Sequence, residues 1–188
     1  MKKNKIKYGL SHVVVWPITA EDQTSITYGT PINIPGAVTM SLSQEGSSDP
    51  FYADNIVYYQ STANNGYSGS LEIALVPEEF EKEIIGATVD EATGALIESA
   101  VDKNTPFALA FQFEGDAAAT AHIMYRCKAT RPNIEGETKG DTVTPKTDSF
   151  DFVAIPRMHD QKIKAKVTAD STAYADFYKK PFEVSAGA

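Results

Sequence analysis

The residue types that most often perform catalysis are few and scattered in this chain of 188 residues. It contains three histidines and one cysteine: His12, His122, His159 and Cys127. His122 and Cys127 are five residues apart on a predicted strand. That odd spacing places them on opposite faces and prevents a local pair of nucleophile and base. We predict that Cys127 is a buried small hydrophobic residue, as free cysteines usually are.

Acidic groups and glycine-rich segments also lack a catalytic arrangement. Asp148 and Asp151 fall on opposite faces of their predicted strand, which is wrong for paired acid–base work. The glutamates of residues 78–83 are typical of a solvated helix face, with no histidine or ordered oxygen-ligand spacing beside them. The segment Gly66-Tyr67-Ser68-Gly69 lacks the following lysine of a phosphate-binding loop. We therefore predict no enzyme, no cofactor and no metal site.

Composition excludes several other classes. A hydrophobic fraction of 42% and an aromatic fraction of 10% indicate a globular protein rather than a disordered one. One cysteine cannot form an internal disulfide, and no apolar run approaches the ~20 residues that a membrane helix needs. The basic N-terminus is not followed by an apolar signal core, which favours synthesis in the cytoplasm. The length favours a single domain over residues 1–188.

The charge is unevenly distributed. The chain has a net charge of −8, yet residues 45–116 contain 14 acidic and two basic residues, a net of −12 that leaves +4 for the remainder. This balance has the wrong sign for a protein that grips nucleic acid through its phosphates. Lys162, Lys164 and Lys166 share one predicted strand face. They could meet an acidic partner or protect an exposed sheet edge.

Alternation of apolar and polar residues recurs along the chain and predicts antiparallel strands with one buried face each. The alternating runs are 38–43, 71–76, 107–114, 122–129, 150–154 and 162–167. Residues 12–16, His-Val-Val-Val-Trp, are apolar on both faces and predict a more enclosed strand. The predicted fold class is therefore mainly β.

Helical patterns interrupt the strands at two places. Residues 77–86 begin with Pro77, carry glutamates in the first turns, where the helix dipole favours them, and end at Gly86. Phe80 and Ile84 are four residues apart, so one helix face would pack on the sheet. Residues 171–180 form a weaker helical candidate that Pro181 ends.

Residues 44–69 are longer than a simple hairpin connection requires. They are too aromatic for a disordered linker, and their phenylalanine and tyrosines need a surface on which to pack, within this chain or on a neighbour. A second excursion, residues 87–104, contains a plausible tight turn at residues 91–94 and is predicted to lie on the surface.

Ordered segments across nearly the whole chain carry a family resemblance. They are 9–13, 28–31 (Tyr-Gly-Thr-Pro), 34–38 (Ile-Pro-Gly-Ala-Val), 51–55 (Phe-Tyr-Ala-Asp-Asn), 64–67 (Asn-Asn-Gly-Tyr), 69–77, 79–80, 106–109, 113–116, 125–129, 131–136 (Arg-Pro-Asn-Ile-Glu-Gly) and 154–157. Together they resemble the major tail tube protein of long-tailed, non-contractile bacteriophages.

The resemblance implies an antiparallel β-sandwich or half-barrel with one flanking α-helix and a long inter-ring loop. It also implies hexameric rings of this chain, stacked into a hollow tube through which DNA is ejected. The implied partners are further copies of the chain, the tail tip, tape-measure and tail terminator proteins, and DNA as non-specific cargo, with no membrane. The implied location is the virion tail, after synthesis in the host cytoplasm.

Three groups of residues follow from this interpretation. The long stacking loop, residues 44–69, would supply contacts between rings through Phe51, Tyr52, Asp54, Tyr58, Tyr59 and Tyr67. The N-terminal arm, residues 1–10, and the C-terminal arm, residues 171–188, would contact neighbouring subunits. Their candidate residues are Lys3, Lys5, Lys7, Tyr174, Phe177 and Phe182.

The third group concerns the lumen. A wall rich in lysine would hold DNA through counterion release, so a conduit should instead present acidic or small neutral side chains. Our hypothesis places Ser41, Ser43, Glu72, Gln112 and Glu114 on the lumen. The alternative is that these polar faces are the outer, solvated side of a sandwich, because alternation does not show which polar face is enclosed.

Two other functions remain open at this stage. The chain could be a β-sandwich module for carbohydrate binding or adhesion, with the aromatic excursion as its ligand platform. It could also be a subunit of a tailocin or secretion tube with related architecture. A tube protein would form rings or filaments as its concentration rises, whereas a binding module would stay monomeric and bind glycan.

Overall fold

The computed structural model describes residues 6–114, 119–138 and 145–183. The described regular structure is mainly β with one short helix, which confirms the predicted fold class. The helix, α1, is α-helical over Glu78–Phe80 and continues as a π-helical turn over Glu81–Ile85. The strands are β1 (Leu10–Glu21), β2 (Ile26–Tyr28), β3 (Ile32–Asn33), β4 (Ala37–Glu45), β5 (Ser48–Ala53), β6 (Ile56–Thr62), β7 (Gly66–Ile73), β8 (Thr88–Val89), β9 (Leu96–Ile97), β10 (Phe107–Phe113), β11 (Ala121–Ala129), β12 (Asp148–Ala154) and β13 (Lys164–Val167).

Nine of the described strands form one antiparallel sheet. Its main path runs β2-β1-β10-β11-β12-β7-β4, with β3 paired to β1 and β13 paired to β11. Strand β11 is shared along its length: residues 121–124 pair with β13 and residues 127–129 pair with β12. The remaining four strands form two separate hairpins, β5–β6 and β8–β9.

The inner face of the sheet holds the larger apolar core. Side chains from β1, β7, β10, β11 and β12 meet there, and α1 packs on them through Phe80 and Ile84, which are both fully buried. The Phe80 ring stacks on Phe150 with 4.7 Å between centroids. The helix ends at Gly86, whose left-handed conformation terminates the last turn. The apolar side chains of residues 77–86 are thus buried against the sheet, as their spacing predicts.

The outer face of β1, β10 and β11 is also buried. Val14 and Trp16 lie there in a second apolar cluster, while Val13 and Val15 point into the first. The prediction of an enclosed strand at residues 12–16 therefore fits the structure from Val13 to Trp16, although the His12 side chain is exposed.

The outer faces of β10 and β11 differ from the sequence-based expectation. Their alternation predicts one exposed face each, but Ala108 and Ala110 on β10 are fully buried. The cause is the C-terminal segment, residues 171–183, which covers this side of the sheet with Tyr174, Phe177 and Tyr178. Small side chains on the strand leave room for these large ones.

The C-terminal segment is not the helix that its spacing predicts. It forms turns around one short 3₁₀ helix, Tyr174–Asp176. Its aromatic side chains gain more from contact with the sheet than a short isolated helix would supply, since such helices are marginal in water.

Residues 44–69 form regular strands rather than the expected loop. Strand β4 continues to Glu45 and β7 starts at Gly66, with the hairpin β5–β6 between them. Asp54 and Asn55 form the hairpin turn with φ angles of 51° and 62°. Asp and Asn are among the residues that tolerate this left-handed conformation, and tyrosines and β-branched residues flank them in the strands.

Candidate assembly surfaces

In the described structure, His12 lies on β1, His122 and Cys127 lie on β11, and His159 lies between β12 and β13. Cys127 is fully buried, and burial raises the pKa of its thiol, so its position fits the prediction of a small core residue. The His122 ring stacks on Phe111 with 5.2 Å between centroids. In the described ranges, no three His, Cys, Asp or Glu side chains are grouped so that they could hold a metal ion. No helix in these ranges is long and apolar enough to cross a membrane.

The most unusual surface is the hairpin β5–β6, which we call the aromatic hairpin (residues 48–62). Its large apolar side chains are exposed by 49% to 69%; they are Phe51, Tyr52, Ile56, Val57, Tyr58 and Tyr59. Phe51 pairs with Tyr59 across the two strands, and the next pair is Tyr52 with Val57. Because successive residues of a strand point to opposite faces, both faces of the hairpin carry exposed apolar side chains.

The root of the aromatic hairpin is closely packed. Ala63 and Asn65 donate backbone hydrogen bonds to the carbonyl oxygens of Ser47 and Glu45, at 2.8 and 2.9 Å. At Gly66, φ is +117° and a Cβ atom would lie 1.9 Å from the Ala154 carbonyl oxygen, so no larger residue fits without a shift. The main sheet therefore fixes where the hairpin leaves the subunit.

Five of the six residues predicted for contacts between rings lie on this hairpin. Asp54 is exposed at its tip, and Phe51, Tyr52, Tyr58 and Tyr59 are on its strands. The sixth residue, Tyr67, lies outside the hairpin. It lies half-buried on β7 against the inner core, and its hydroxyl accepts a hydrogen bond from Lys164, whose ammonium is 4.2 Å from the ring centroid.

A second surface, which we call the polar face, covers the outer side of β4 and β7. It consists of Thr39, Ser41, Ser43, Ser68, Ser70 and Glu72. Ser41 pairs with Ser70, and Ser43 pairs with Ser68. The Glu72 carboxylate accepts hydrogen bonds from the hydroxyls of Thr147 and Thr39, at 2.5 and 2.8 Å, which lower its pKa. This carboxylate is therefore charged at neutral pH.

The residues predicted for the lumen separate into three places. Ser41, Ser43 and Glu72 share the polar face, and Glu114 is exposed just after β10. Gln112 is only 9% exposed because the Tyr174 and Tyr178 hydroxyls donate hydrogen bonds to its Oε1 at 2.9 and 3.0 Å. A lumen-facing residue must reach solvent, so the prediction for Gln112 does not fit the structure.

The predicted arm residues contact their own subunit where the structure describes them. Phe177 is 1% exposed in the outer core, and the Phe182 ring stacks on it with 6.2 Å between centroids. Tyr174 binds Gln112, and the Lys7 ammonium lies 5.2 Å from the Phe113 ring centroid. Because Phe177 is buried in its own subunit, the prediction that it contacts a neighbouring subunit does not fit the structure. Lys3 and Lys5 lie outside the described residues.

Sequence reasoning missed the group that anchors the C-terminal segment. The Arg157 guanidinium is completely buried, 4.1 Å from the Tyr125 ring centroid, and it forms ion pairs with Asp160 and Glu183. Burial disfavours the charge of Arg157, but hydrogen bonds to Glu183 and Asp160 outweigh that cost and raise its pKa. Burial also acts to raise the pKa of Asp160, yet the bond from Arg157 prevails and the value falls to about 2. Asp160, three residues beyond Arg157, is the local signal that could have indicated a pair.

Comparison with known proteins gives likenesses to solved structures but no match in sequence. No family model matches the chain, and no curated protein matches it. Among solved structures, the fold is similar to a chain in the cryo-EM structure of the anti-feeding prophage (AFP) baseplate, 6-fold symmetrised. The TM-score is 0.48 at 9% sequence identity, over 91% of this chain and 100% of that chain. At these values the likeness carries no functional argument.

Proposed function

We propose that the chain is a structural, non-catalytic subunit of a bacteriophage tail tube, assembled from stacked hexameric rings that form a conduit for DNA. The observation that carries this proposal is the aromatic hairpin, which exposes apolar side chains on both faces. The resemblance of the ordered sequence segments supplies the particular assembly. Within it, the partners are copies of the chain, with tail tip, tape-measure and terminator proteins at the ends.

The physical argument starts from the instability of such a hairpin in water. A two-stranded hairpin without a third strand or a packed helix is marginally stable alone, and clustered exposed apolar side chains typically mark a binding surface. Phe51, Tyr52, Tyr58 and Tyr59 would lose most of their exposed area against an adjacent ring. The closely packed root at Gly66 holds the hairpin in one direction, so every subunit would present it in the same way.

The experiment is electron microscopy of the purified chain, together with sedimentation over a range of protein concentrations. We expect rings or hollow filaments that become more abundant as concentration rises. A chain that stays monomeric at every concentration and binds glycan would contradict the tube and favour the carbohydrate-binding or adhesion module. The formation of tubes would not by itself separate a phage tail from a tailocin or a secretion tube. The source from which native particles are purified would distinguish them.

The polar face supports a more specific prediction about the lumen. If it lines the conduit, Glu72→Lys places a ring of cations beside the DNA, and we expect assembled tails whose DNA release is several-fold slower. The matched control is Glu91→Lys, the same change of charge at an exposed position between β8 and β9. DNA release kinetics from reconstituted particles provide the measurement. Normal release with Glu72→Lys would place the polar face outside the tube.

A further inference from the structure

The two strands of the aromatic hairpin differ in how their outer edges are protected. Among the described strands, β5 and β6 pair only with each other, so each leaves one edge unpaired. Strand β5 contains Asp49 and Pro50, and charged residues and prolines keep sheet edges from pairing. Strand β6 has the sequence Ile-Val-Tyr-Tyr-Gln-Ser-Thr, without charge, proline or glycine, and all seven residues are exposed. The hairpin therefore has one protected edge and one open edge.

The register of the hairpin shows which backbone groups face the open edge of β6. Hydrogen-bonded and non-hydrogen-bonded pairs alternate along antiparallel strands. The Ala63 N–H donates to the Ser47 carbonyl oxygen at 2.8 Å, which makes that pair hydrogen-bonded. The pair Pro50–Gln60 lies three positions farther along and is therefore non-hydrogen-bonded, in agreement with the missing N–H of proline. The backbone groups of Gln60, and by the same alternation those of Thr62, point away from β5.

The main sheet does not continue beside β6. The chain of β6 leads into β7, which has β4 on one side and β12 on the other. The ladder between β12 and β7 ends at the pair Ala154–Tyr67, and β7 begins only one residue before Tyr67. No described strand lies beside β6 beyond that point. The open edge of β6 therefore offers N–H and C=O groups to a strand from outside the subunit.

Strand β4 has the longest unprotected edge that could receive β6. It is nine residues long, ends the main path of the sheet, and has Glu45 as its only charged residue. The outer edge of β13 has four residues, two of them lysines, and β2, β3, β8 and β9 have only two or three residues each. The hairpin extends beyond the pair Glu45–Gly66 that ends the β4–β7 ladder. The edge of β6 can therefore meet β4 only in another copy of the chain.

We propose that β6 of one subunit adds to the open edge of β4 in a second copy, as an additional strand of its sheet. Main-chain hydrogen bonds supply affinity in this mode of recognition, and side chains add specificity. The two edges belong to different strands, so the contact is heterologous and can repeat from copy to copy. Strand addition rests on the proposed assembly of the chain and names the backbone contact that its aromatic hairpin makes.

Amide hydrogen exchange of the full chain, resolved to single residues, compares assembled with unassembled protein. We expect the Gln60 and Thr62 amides to exchange at least about tenfold more slowly in assemblies, because each gains a hydrogen bond. Amides within residues 37–45 should also gain protection. The Ser61 amide is the internal control: it faces β5 in the free chain, by the alternation of pairs, and should change much less.

A proline on β6 tests the backbone contact separately from the side chains. Gln60→Pro removes an outward N–H, and we expect the concentration needed for assembly to rise at least about tenfold, since a carbonyl of the partner stays unbonded. Gln60→Ala keeps the N–H and loses the same side-chain bond to Ser48, so it should assemble normally. Ser48→Pro makes the equivalent change on the protected edge of β5 and should also assemble normally. Circular dichroism confirms folding.

The outcomes separate strand addition from tube assembly. Tubes in which Gln60 and Thr62 exchange as fast as in the free chain overturn strand addition and leave the tube intact. Protection of β6 without protection of residues 37–45, or equal assembly of Gln60→Pro and Gln60→Ala, also overturns it. Assemblies other than tubes that protect both strands contradict the tube and support strand addition. A chain that stays monomeric at every concentration overturns both.

Discussion

Replacing Phe51 and Tyr59 together by serine leaves a folded monomer that forms no tubes. The two side chains lie opposite each other on one face of the aromatic hairpin and are 60% and 64% exposed. Their removal should therefore change the free energy of unfolding by no more than about 0.5 kcal/mol. Each aromatic anchor of an interface contributes about 2 kcal/mol or more, so losing both should raise the concentration needed for assembly about 1,000-fold.

Two further variants make this result specific. Tyr52→Ser with Val57→Ser alters the next pair along the hairpin, on its opposite face, and tests whether both faces are covered in the tube. Val101→Ser with Ile134→Ser is the matched control, because these apolar residues are 81% and 83% exposed and lie outside the hairpin. Sedimentation and negative-stain micrographs measure assembly, and circular dichroism confirms folding. Tubes of normal abundance from Phe51→Ser with Tyr59→Ser would remove the hairpin from the assembly interface.

Arg157→Ala should lower the free energy of unfolding by about 3 kcal/mol and loosen the C-terminal segment. Removing one partner of a buried ion pair commonly costs about 3–5 kcal/mol. We expect the lower end because the side chains of Asp160 and Glu183 are 22% and 48% exposed, so water can rehydrate both carboxylates. The cation also contacts the Tyr125 ring, and that contact is lost as well.

Urea denaturation and limited proteolysis measure the two effects of Arg157→Ala. Cleavage within residues 171–183 should become faster than cleavage elsewhere, since Glu183 loses the group that holds it. Arg131→Ala is the matched control: its ion pair with Glu98 is about half exposed and should contribute less than about 1 kcal/mol. A loss of stability no larger than the control's would show that Arg157 does not anchor the segment.

Local patterns predicted much of the fold. The helix over residues 77–86 follows from Pro77, the spacing of Phe80 and Ile84, and Gly86, all within ten residues. The turn at Asp54 and Asn55 is a local signal too, but the flanking residues are apolar on both faces. That removes the alternation by which half-buried strands are recognised, so a loop was predicted where a hairpin exists.

Only some residues of the candidate surfaces could be predicted from the sequence. Phe51, Tyr52, Tyr58 and Tyr59 are too aromatic for a solvated loop, and composition alone indicated that they need a partner. Gln112 could not be placed because Tyr174 and Tyr178, which bury it, are more than 60 positions away in the chain. Phe177 could not be placed because its cluster includes residues of β1 and β10. Arg157 was missed because Tyr28, Tyr125 and Glu183, which contact it, come from other parts of the chain.

By itself, the sequence determined the alternating antiparallel strands, the helix over residues 77–86 and the two residue sets, aromatic and hydroxyl-rich, that a partner or a lumen could use. The period of two residues along a strand is a local property, so it shows which side chains share a face. Only the tertiary structure decided which outer face is covered. The C-terminal segment buries the outer side of β10 and β11, while Ser41, Ser43 and Glu72 beyond its reach still contact solvent. That choice depends on contacts between distant parts of the chain, which no local period encodes.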